Sequence, residues 1–416
     1  MPDSGLRGAE YPALIMANEK VNRPVNVRRP EVMEQVAKDL ARFHSPLVDC
    51  IREQGNELEL PGMRLFLADS FGFCDGVKRA IEIAYAACRL FKDRRIWLIG
   101  EIIHNPEVNA QLDAFGLLHL PWKMDDPAYD ALTSEDVVIM PAFGVSVELR
   151  RLLDTKGVTL VDSTCGNVIK VWQRVRAYAA AGVTSIIHGK ARHEESMATA
   201  SQSQGADGKG NFLVVFDADD ARLVAEYING RGDKERFLQH FKGSYSCGFD
   251  PDAHLAEIGL ANQTTMLKSE TAEIQDMLRA AIVERDGSDA RFHMFDTICG
   301  ATQDRQNALF SLLEKPLDAM FIIGGYNSSN TTHLAHIASN KVPTFFVSSA
   351  ECLLSRESIR CFDLAQKKEV ERSLPASLSH PERELQVGVT AGASCPANVI
   401  EDVICRIAEL CGCSEI

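Results

Sequence analysis

Three stretches of the chain share one pattern, and no other feature restricts its fold as much. "FLADSFGFCDGVKRAIEIA" (66–84), "VTLVDSTCGNVIKVWQRVR" (158–176) and "FHMFDTICGATQDRQNALFSL" (292–312) each run from an apolar segment through an aspartate and small polar residues to a cysteine, then into a helical pattern. The cysteines are Cys74, Cys165 and Cys299, separated by 91 and 134 residues, about the length of a small α/β domain each. Two further sets repeat in the same order. "IWLIGEIIHNPEVNAQL", "TSIIHGKARHEESMATA" and "AMFIIGGYNSSNTTHLA" follow the cysteine helices; "VVIMPAFGVSVELRRL", "IGLANQTTMLKSETAEI" and "QVGVTAGASCPANVIEDVI" come next. Strand, short loop and helix recurring at this spacing predict parallel sheets with crossover helices, whose ligands gather at the carboxyl ends of the strands.

The expected fold class is α/β: three similar α/β domains with mainly parallel sheets, arranged pseudo-threefold around one central cavity. The expected partition is an N-terminal extension with one helix over 1–62, then units over 63–165, 166–298 and 299–416. With the strand ends facing inward, the three cysteines converge and the polar loops wall the cavity. Those loops carry His104, then His193 with Glu195, then Asn327, Ser328, Ser329 and Asn330. The three aspartates (Asp69, Asp162 and Asp296) are expected to brace the turns through backbone amides.

A cysteine at the start of a helix faces the positive end of the helix dipole, which favours thiolate. Any one such junction fits a buried turn equally well; three equivalent ones point to metal. Zinc sites usually close with four ligands drawn from CxxC-type pairs, and none joins these three cysteines. Three thiolates from separated units suit an iron–sulfur centre better, with a four-iron cubane leaving one iron free to bind substrate. Of the other nine cysteines, Cys88, Cys352, Cys361 and Cys405 read as small buried hydrophobes, the tail "CGC" is weak as a metal site, and Cys50, Cys247 and Cys395 carry no assignment.

Composition narrows the function. A net charge of -14 argues against general nucleic-acid binding, which needs a basic face. No apolar run approaches the roughly 20 residues of a membrane span, and the first thirty residues show no convincing targeting signal, so the expected location is cytoplasmic. Helical spacing of Val32, Val36, Leu40 and Phe43 predicts a helix over 31–43 that covers a domain or a partner. "SQSQGADGKGN" and the segments near 228–255 and 353–385 read as insertions.

Eight motifs in one order, "GFCDGVKRAI", "EIIHNPEV", "DSTCGNVIKVW", "HGKARHEESMATA", "NQTTM", "DTICGATQDRQ", "GGYNSSNTTHL" and "VGVTAGASCP", resemble the series of the 4-hydroxy-3-methylbut-2-enyl diphosphate reductases over about residues 63–410. The "PAFG" form and the N-terminal extension look like the longer plant and cyanobacterial branch. The resemblance implies one [4Fe-4S] cluster per chain on Cys74, Cys165 and Cys299. It also implies reductive loss of the allylic hydroxyl of (E)-4-hydroxy-3-methylbut-2-enyl diphosphate, giving isopentenyl and dimethylallyl diphosphates, the last step of the non-mevalonate pathway.

In this family Glu195 would be the proton donor, with Thr264 as orienter or relay. His104, His193, Ser328, Asn330 and Ser394 would contact the diphosphate, with Asn327 and Ser329 adjoining. The chemistry agrees, since a carboxyl group in a water-poor cavity keeps its proton and hydroxyls and amides at helix starts bind anions. The resemblance implies ferredoxin or flavodoxin as the electron donor, and no GxGxxG loop follows a strand to suggest direct nicotinamide binding. Two departures stand out: Phe143 where many members have histidine, and Gly166 where proline is common. Glu194 is expected to face away or cap its helix, and His188 and His333 to be structural. The rival readings are a quinolinate-synthase-like lyase, a non-enzymatic iron–sulfur sensor and a zinc hydrolase.

Overall fold

The computed structural model describes residues 23–295, 297–374, 378 and 383–412. Residues 1–22, Asp296 and Cys413 lie outside them, and so do the expectations for the first part of the extension, the third bracing aspartate and the end of the "CGC" tail.

An opening pair, β1 (Glu57–Leu60) and β2 (Met63–Leu67), precedes the first cysteine. Four strands follow, β3 (Ile96–Ile99), β4 (Leu118–Leu120), β5 (Val137–Met140) and β6 (Thr159–Asp162), then four more, β7 (Thr184–His188), β8 (Phe212–Val215), β9 (Ile258–Asn262) and β10 (Phe292–Met294). The last part holds β11 (Ala319–Ile323), β12 (Thr344–Val347), a hairpin of β13 (Ser358–Asp363) and β14 (Lys368–Ser373), and β15 (Leu385–Ala391).

Three sheets result, with equivalent orders: β4-β3-β5-β6, β8-β7-β9-β10 and β12-β11-β15-β2, the last edged by β1. Every pairing inside these four-strand blocks is parallel; only β1 runs antiparallel, against β2. The central strands β3, β5, β7, β9 and β11 are buried along their whole length, as parallel strands covered by helices on both faces must be. The hydrophobic core accordingly falls into separate clusters around the sheets.

The strand before Cys74 departs from the linear partition. In the sequence it belongs to the unit 63–165, yet β2 pairs with β15, Leu385 opposite Met63 and Val389 opposite Leu67. It therefore completes the third sheet in the position β6 and β10 hold in the other two. The reason is geometric: each sheet needs a cysteine strand beside its third strand, and among the described residues β15 is followed by a helix, Ala397–Leu410, and no strand.

The N-terminal extension covers the Cys74 helix. Pro30 at the first turn sets the helix Pro30–Leu40, and Val36 is fully buried. The Arg89 guanidinium grips the Asp39 carboxylate at 2.6 and 3.0 Å. Phe43 meets Phe73 and Tyr85 edge-on, at 5.8 and 6.4 Å between centroids. Upstream, the Val25 amide donates to the Leu160 carbonyl at 2.8 Å, drawing residues 24–28 along β6. The segment 353–385, read as an insertion, holds the β13–β14 hairpin. Among the described residues no helix is long and apolar enough to cross a membrane.

Candidate active site

In each sheet the strand order reverses between the first and third strands, at β3/β5, β7/β9 and β11/β15, and parallel sheets bind ligands at such switch points. The loops leaving these strands carry His104 and Phe143, then His193 and Thr264, then Ser328 and Ser394. With the three cysteines they line one cavity fed by all three sheets.

Each cysteine is the N-cap of its helix: Cys74 of Asp75–Leu90, Cys165 of Gly166–Ala180, Cys299 of Gly300–Leu312. The repeat extends to single hydrogen bonds. The amide of Cys74 donates to the Ala393 carbonyl, that of Cys165 to Ala142 and that of Cys299 to Thr264, at 3.2, 2.9 and 3.3 Å, each in the loop after the neighbouring third strand. The thiols are free and close together. A Cβ placed on Gly76 would stand 2.7 Å from Cys165 Sγ and 3.8 Å from Cys74 Sγ, so only glycine leaves room for this approach. The Asn167 amide Nδ2 donates to Cys299 Sγ at 2.9 Å, linking the second cysteine helix to the third. Burial pushes the Cys165 thiol up, against helix amides that pull it down, and the Cys74 and Cys299 thiols add to the rise. Asp162 braces its turn as expected, its Oδ1 accepting from the Thr164 amide and hydroxyl, whereas Asp69 Oδ1 accepts from the Asn56 side-chain amide instead of a backbone amide.

Glu195 is 2 % exposed. Its Oε1 accepts from the Thr264 amide at 2.5 Å and its Oε2 from the Thr264 hydroxyl at 3.1 Å. Burial raises its carboxyl to about 7, overriding those two hydrogen bonds and the nearby His104, all of which favour the carboxylate.

The opposite wall is made of donors that lack partners. His193 caps the helix Glu194–Gln202, and its Nδ1 accepts from the Glu195 amide at 3.2 Å. The ring proton therefore sits on Nε2, and burial, then His104, Lys190 and His333, lower its pKa to about 3. His104 is anchored by Nδ1 to Glu101 at 2.9 Å and stacks on Phe143 with centroids 4.2 Å apart. Among the described residues, His104 Nε2, His193 Nε2, Ser329 Oγ and Asn330 Nδ2 are buried with no hydrogen-bond partner. Ser328 caps the helix Ser329–Ser339, while Ser394 Oγ donates to the His104 carbonyl at 3.1 Å and Asn330 Oδ1 holds the Ala393 amide at 2.9 Å. The buried donors left open at two helix N-termini, His193 Nε2–H, Ser329 Oγ–H and Asn330 Nδ2–H, are an anion site in waiting.

Two expectations need correction. Asn327 is exposed and does not line the cavity; the turn closed by the Ser328 amide on the Gly325 carbonyl presents it to solvent. Glu194 does not face away: its Oε2 lies 3.7 Å from His104 Nε2 and 3.8 Å from His193 Nδ1, and these three residues offer ligand atoms within 4.8 Å of one another. His333 and His188 are buried and bonded to the Thr265 carbonyl and the Thr271 hydroxyl, as structural histidines are. Gly76 and Thr265 line the cavity and Asn167 donates to one of its thiols, and none of the three was singled out by the sequence. Asn167 alone left a signal, an amide in the first turn of the second cysteine helix, two residues after Cys165.

Fold and site together define a class: an α/β enzyme whose three sheets bring three cysteine thiols and an anion-binding wall onto one cavity. The LytB protein family matches residues 65–408. The chain is 44% identical over 388 residues to the 4-hydroxy-3-methylbut-2-enyl diphosphate reductase of Synechococcus sp. (strain RCC307), covering 92% of this chain and 93% of that one. It is 44% identical over 393 residues to the reductase of the same name from Gloeobacter violaceus, covering 92% and 91%. The chain belongs to this family, the LytB or 4-hydroxy-3-methylbut-2-enyl diphosphate reductases. A solved structure of the reductase described as the terminal enzyme of the non-mevalonate pathway aligns with a TM-score of 0.50 at 25% identity, over 83% of this chain and 99% of that one. The Plasmodium falciparum reductase shares the fold, with a TM-score of 0.59 at 22% identity, over 82% and 86%.

Proposed function

We propose that the chain converts (E)-4-hydroxy-3-methylbut-2-enyl diphosphate to isopentenyl and dimethylallyl diphosphates, the allylic alcohol taking up two electrons and two protons and releasing water. The observation that carries this is the cavity itself, where three free thiols share one space with a buried carboxyl near its neutral point and a wall of unpartnered donors. Cys74, Cys165 and Cys299 fit a [4Fe-4S] cluster, one per chain: three thiols from three sheets line one cavity, two of them beside Gly76, and among the described residues no fourth cysteine lines it. Such a cluster, when bound, supplies electrons and an open Lewis-acidic iron for the substrate hydroxyl.

The remaining work falls to side chains. When the Glu195 carboxyl is protonated, its proton sits on Oε2, because Oε1 is taken by the Thr264 amide, and the hydrogen bond to Thr264 Oγ1 then runs from Oε2 instead of to it. From there it reaches Thr264 Oγ1, whose own proton passes toward the leaving oxygen. His193 Nε2–H, Ser329 Oγ–H and Asn330 Nδ2–H donate to the diphosphate with His104, Ser328 and Ser394 beside them, and the two helix N-termini add favourable dipoles. Burial of the whole set excludes water, so the proton is delivered to substrate rather than exchanged with solvent.

The electrons come from a ferredoxin- or flavodoxin-type carrier, and the enzyme acts in the cytoplasm on a small-molecule substrate, apart from nucleic acid and membrane. The units 63–165, 166–298 and 299–416 act as one catalytic body behind the extension 1–62, with β2 exchanged into the third sheet. Anaerobic turnover of the hydroxylated diphosphate with a one-electron donor tests the reading: formation of the two isomeric products supports it, and their absence from a cluster-loaded enzyme overturns it.

A further inference from the structure

Arg305 is a charge in the wrong place for a structural residue. It lies in the helix that Cys299 caps, and it is 5 % exposed. Buried guanidinium groups normally face a carboxylate, because taking an unpaired charge out of water is expensive. Here every partner is a neutral carbonyl. Nε and Nη2 donate to the Gly72 carbonyl at 3.2 and 2.5 Å, and Nη1 donates to the Ala301 carbonyl at 2.7 Å. Among the described residues no carboxylate lies within ion-pair distance of it; Asp304, its chain neighbour, is exposed.

The two carbonyls identify what the charge faces. Gly72 is two residues before Cys74 and Ala301 two residues after Cys299, so one guanidinium clamps the turns of two cysteines that belong to different sheets. Burial is the main factor working against its charge, and the Arg52 guanidinium adds a smaller opposition; its favourable electrostatic partners are the thiols of Cys74 and Cys299, ahead of Asp304. The Arg52 guanidinium, the other cation near this turn, is held outside it, over the Phe71 ring at 4.3 Å and on the Phe71 carbonyl.

We propose that Arg305 is the built-in counter-charge of the three-thiolate centre and sets the ease of its one-electron reduction. The proposal rests on the cluster reading given above. A cubane core of charge 2+ held by three thiolates carries a net charge of -1, and one electron from an external carrier takes it to -2 with no bond made or broken. A fixed positive charge in a buried site stabilises the more negative state more than the less negative one. Arg305 therefore raises the reduction potential, while its clamp holds the Cys74 and Cys299 turns at one spacing. It touches neither substrate nor reacting atoms and is a positioning residue.

The test is an EPR-monitored redox titration of the anaerobically reconstituted holoenzyme, comparing wild type with R305Q and R305K. The charge account predicts that R305Q is harder to reduce by at least tenfold in the equilibrium constant, a shift of about 59 mV to more negative potential for one electron, while R305K stays close to wild type. Should R305Q fail to load, R305A reconstituted with and without methylguanidinium gives the same comparison, the added cation restoring the potential. Equal potentials in wild type and R305Q overturn the proposal, as does an R305K potential as low as that of R305Q, which would make the effect one of clamp geometry. A wild-type protein that takes up no cluster overturns the reading beneath it instead.

Discussion

Replacing Glu195 by glutamine should move activity and stability in opposite directions. The side chain keeps its shape, but the acid is lost. In the native protein the carboxyl group is buried, and desolvation raises it from an ordinary value of 4.5 to about 7. Below pH 4.5 the folded and unfolded states are both protonated and the residue costs nothing. As pH rises from 4.5 to 7 the unfolded chain ionises while the native one holds its proton, and stability falls by about 1.4 kcal/mol per pH unit. Above pH 7 the accumulated cost levels off at about 3 kcal/mol. Glutamine does not ionise, so the E195Q apoprotein should gain up to about 3 kcal/mol over wild type at pH 8 and nothing at pH 4.5.

Turnover should go the other way: loss of a positioned proton donor lowers kcat by about 10²–10⁴-fold, with KM changed far less because the diphosphate wall is untouched. Wild-type kcat should decline above pH 7, as the donor ionises. Urea titrations of the apoproteins at pH 5 and pH 8, with steady-state kinetics of the loaded enzymes across pH 6–9, read both effects. An E195Q enzyme with kcat within threefold of wild type, or equally stable apoproteins at pH 8, would refute the reasoning.

Other predictions follow from the two walls of the cavity. G76A puts a methyl group against Cys165 Sγ while improving a helical position by up to about 1 kcal/mol; iron bound per chain should fall several-fold with no loss of helical signal by circular dichroism, and full iron loading would count against the thiol convergence. H193A removes the Nε2–H donor, and a hydrogen bond to a charged group is worth about 1.5–3 kcal/mol, so KM for the diphosphate substrate should rise about 10–100-fold while iron content stays the same.

The chemistry was legible because it is repeated. The strand–Asp–Cys–helix stretches around Cys74, Cys165 and Cys299 read alike at three places, and the loops bearing His104, His193, Glu195, Thr264 and Ser328 recur at matching offsets, so their meeting at strand ends follows from parallel-sheet topology. Long-range pairing left no such trace. Nothing local in "MRLFL" says that it joins residues 385–389 across more than three hundred residues rather than its own unit. Side-chain direction inside a turn was equally silent. Asn327 and Ser328 are adjacent and both polar, yet the turn exposes one and buries the other, and Glu194 shares the first helical turn with Glu195 while facing the histidines instead of Thr264. Arg305 was hidden by its type, since an arginine inside a helical pattern reads as solvent-exposed unless its burial is known.

The central claim is that three thiols hold a cluster with one iron open to substrate. Anaerobic purification or reconstitution, iron and sulfide analysis, and a Mössbauer spectrum before and after adding (E)-4-hydroxy-3-methylbut-2-enyl diphosphate test it directly. The account predicts about four irons per chain, with one iron site changed by substrate and the others unmoved. A zinc-bound or metal-free protein, or a cluster whose spectrum ignores the substrate, would contradict it.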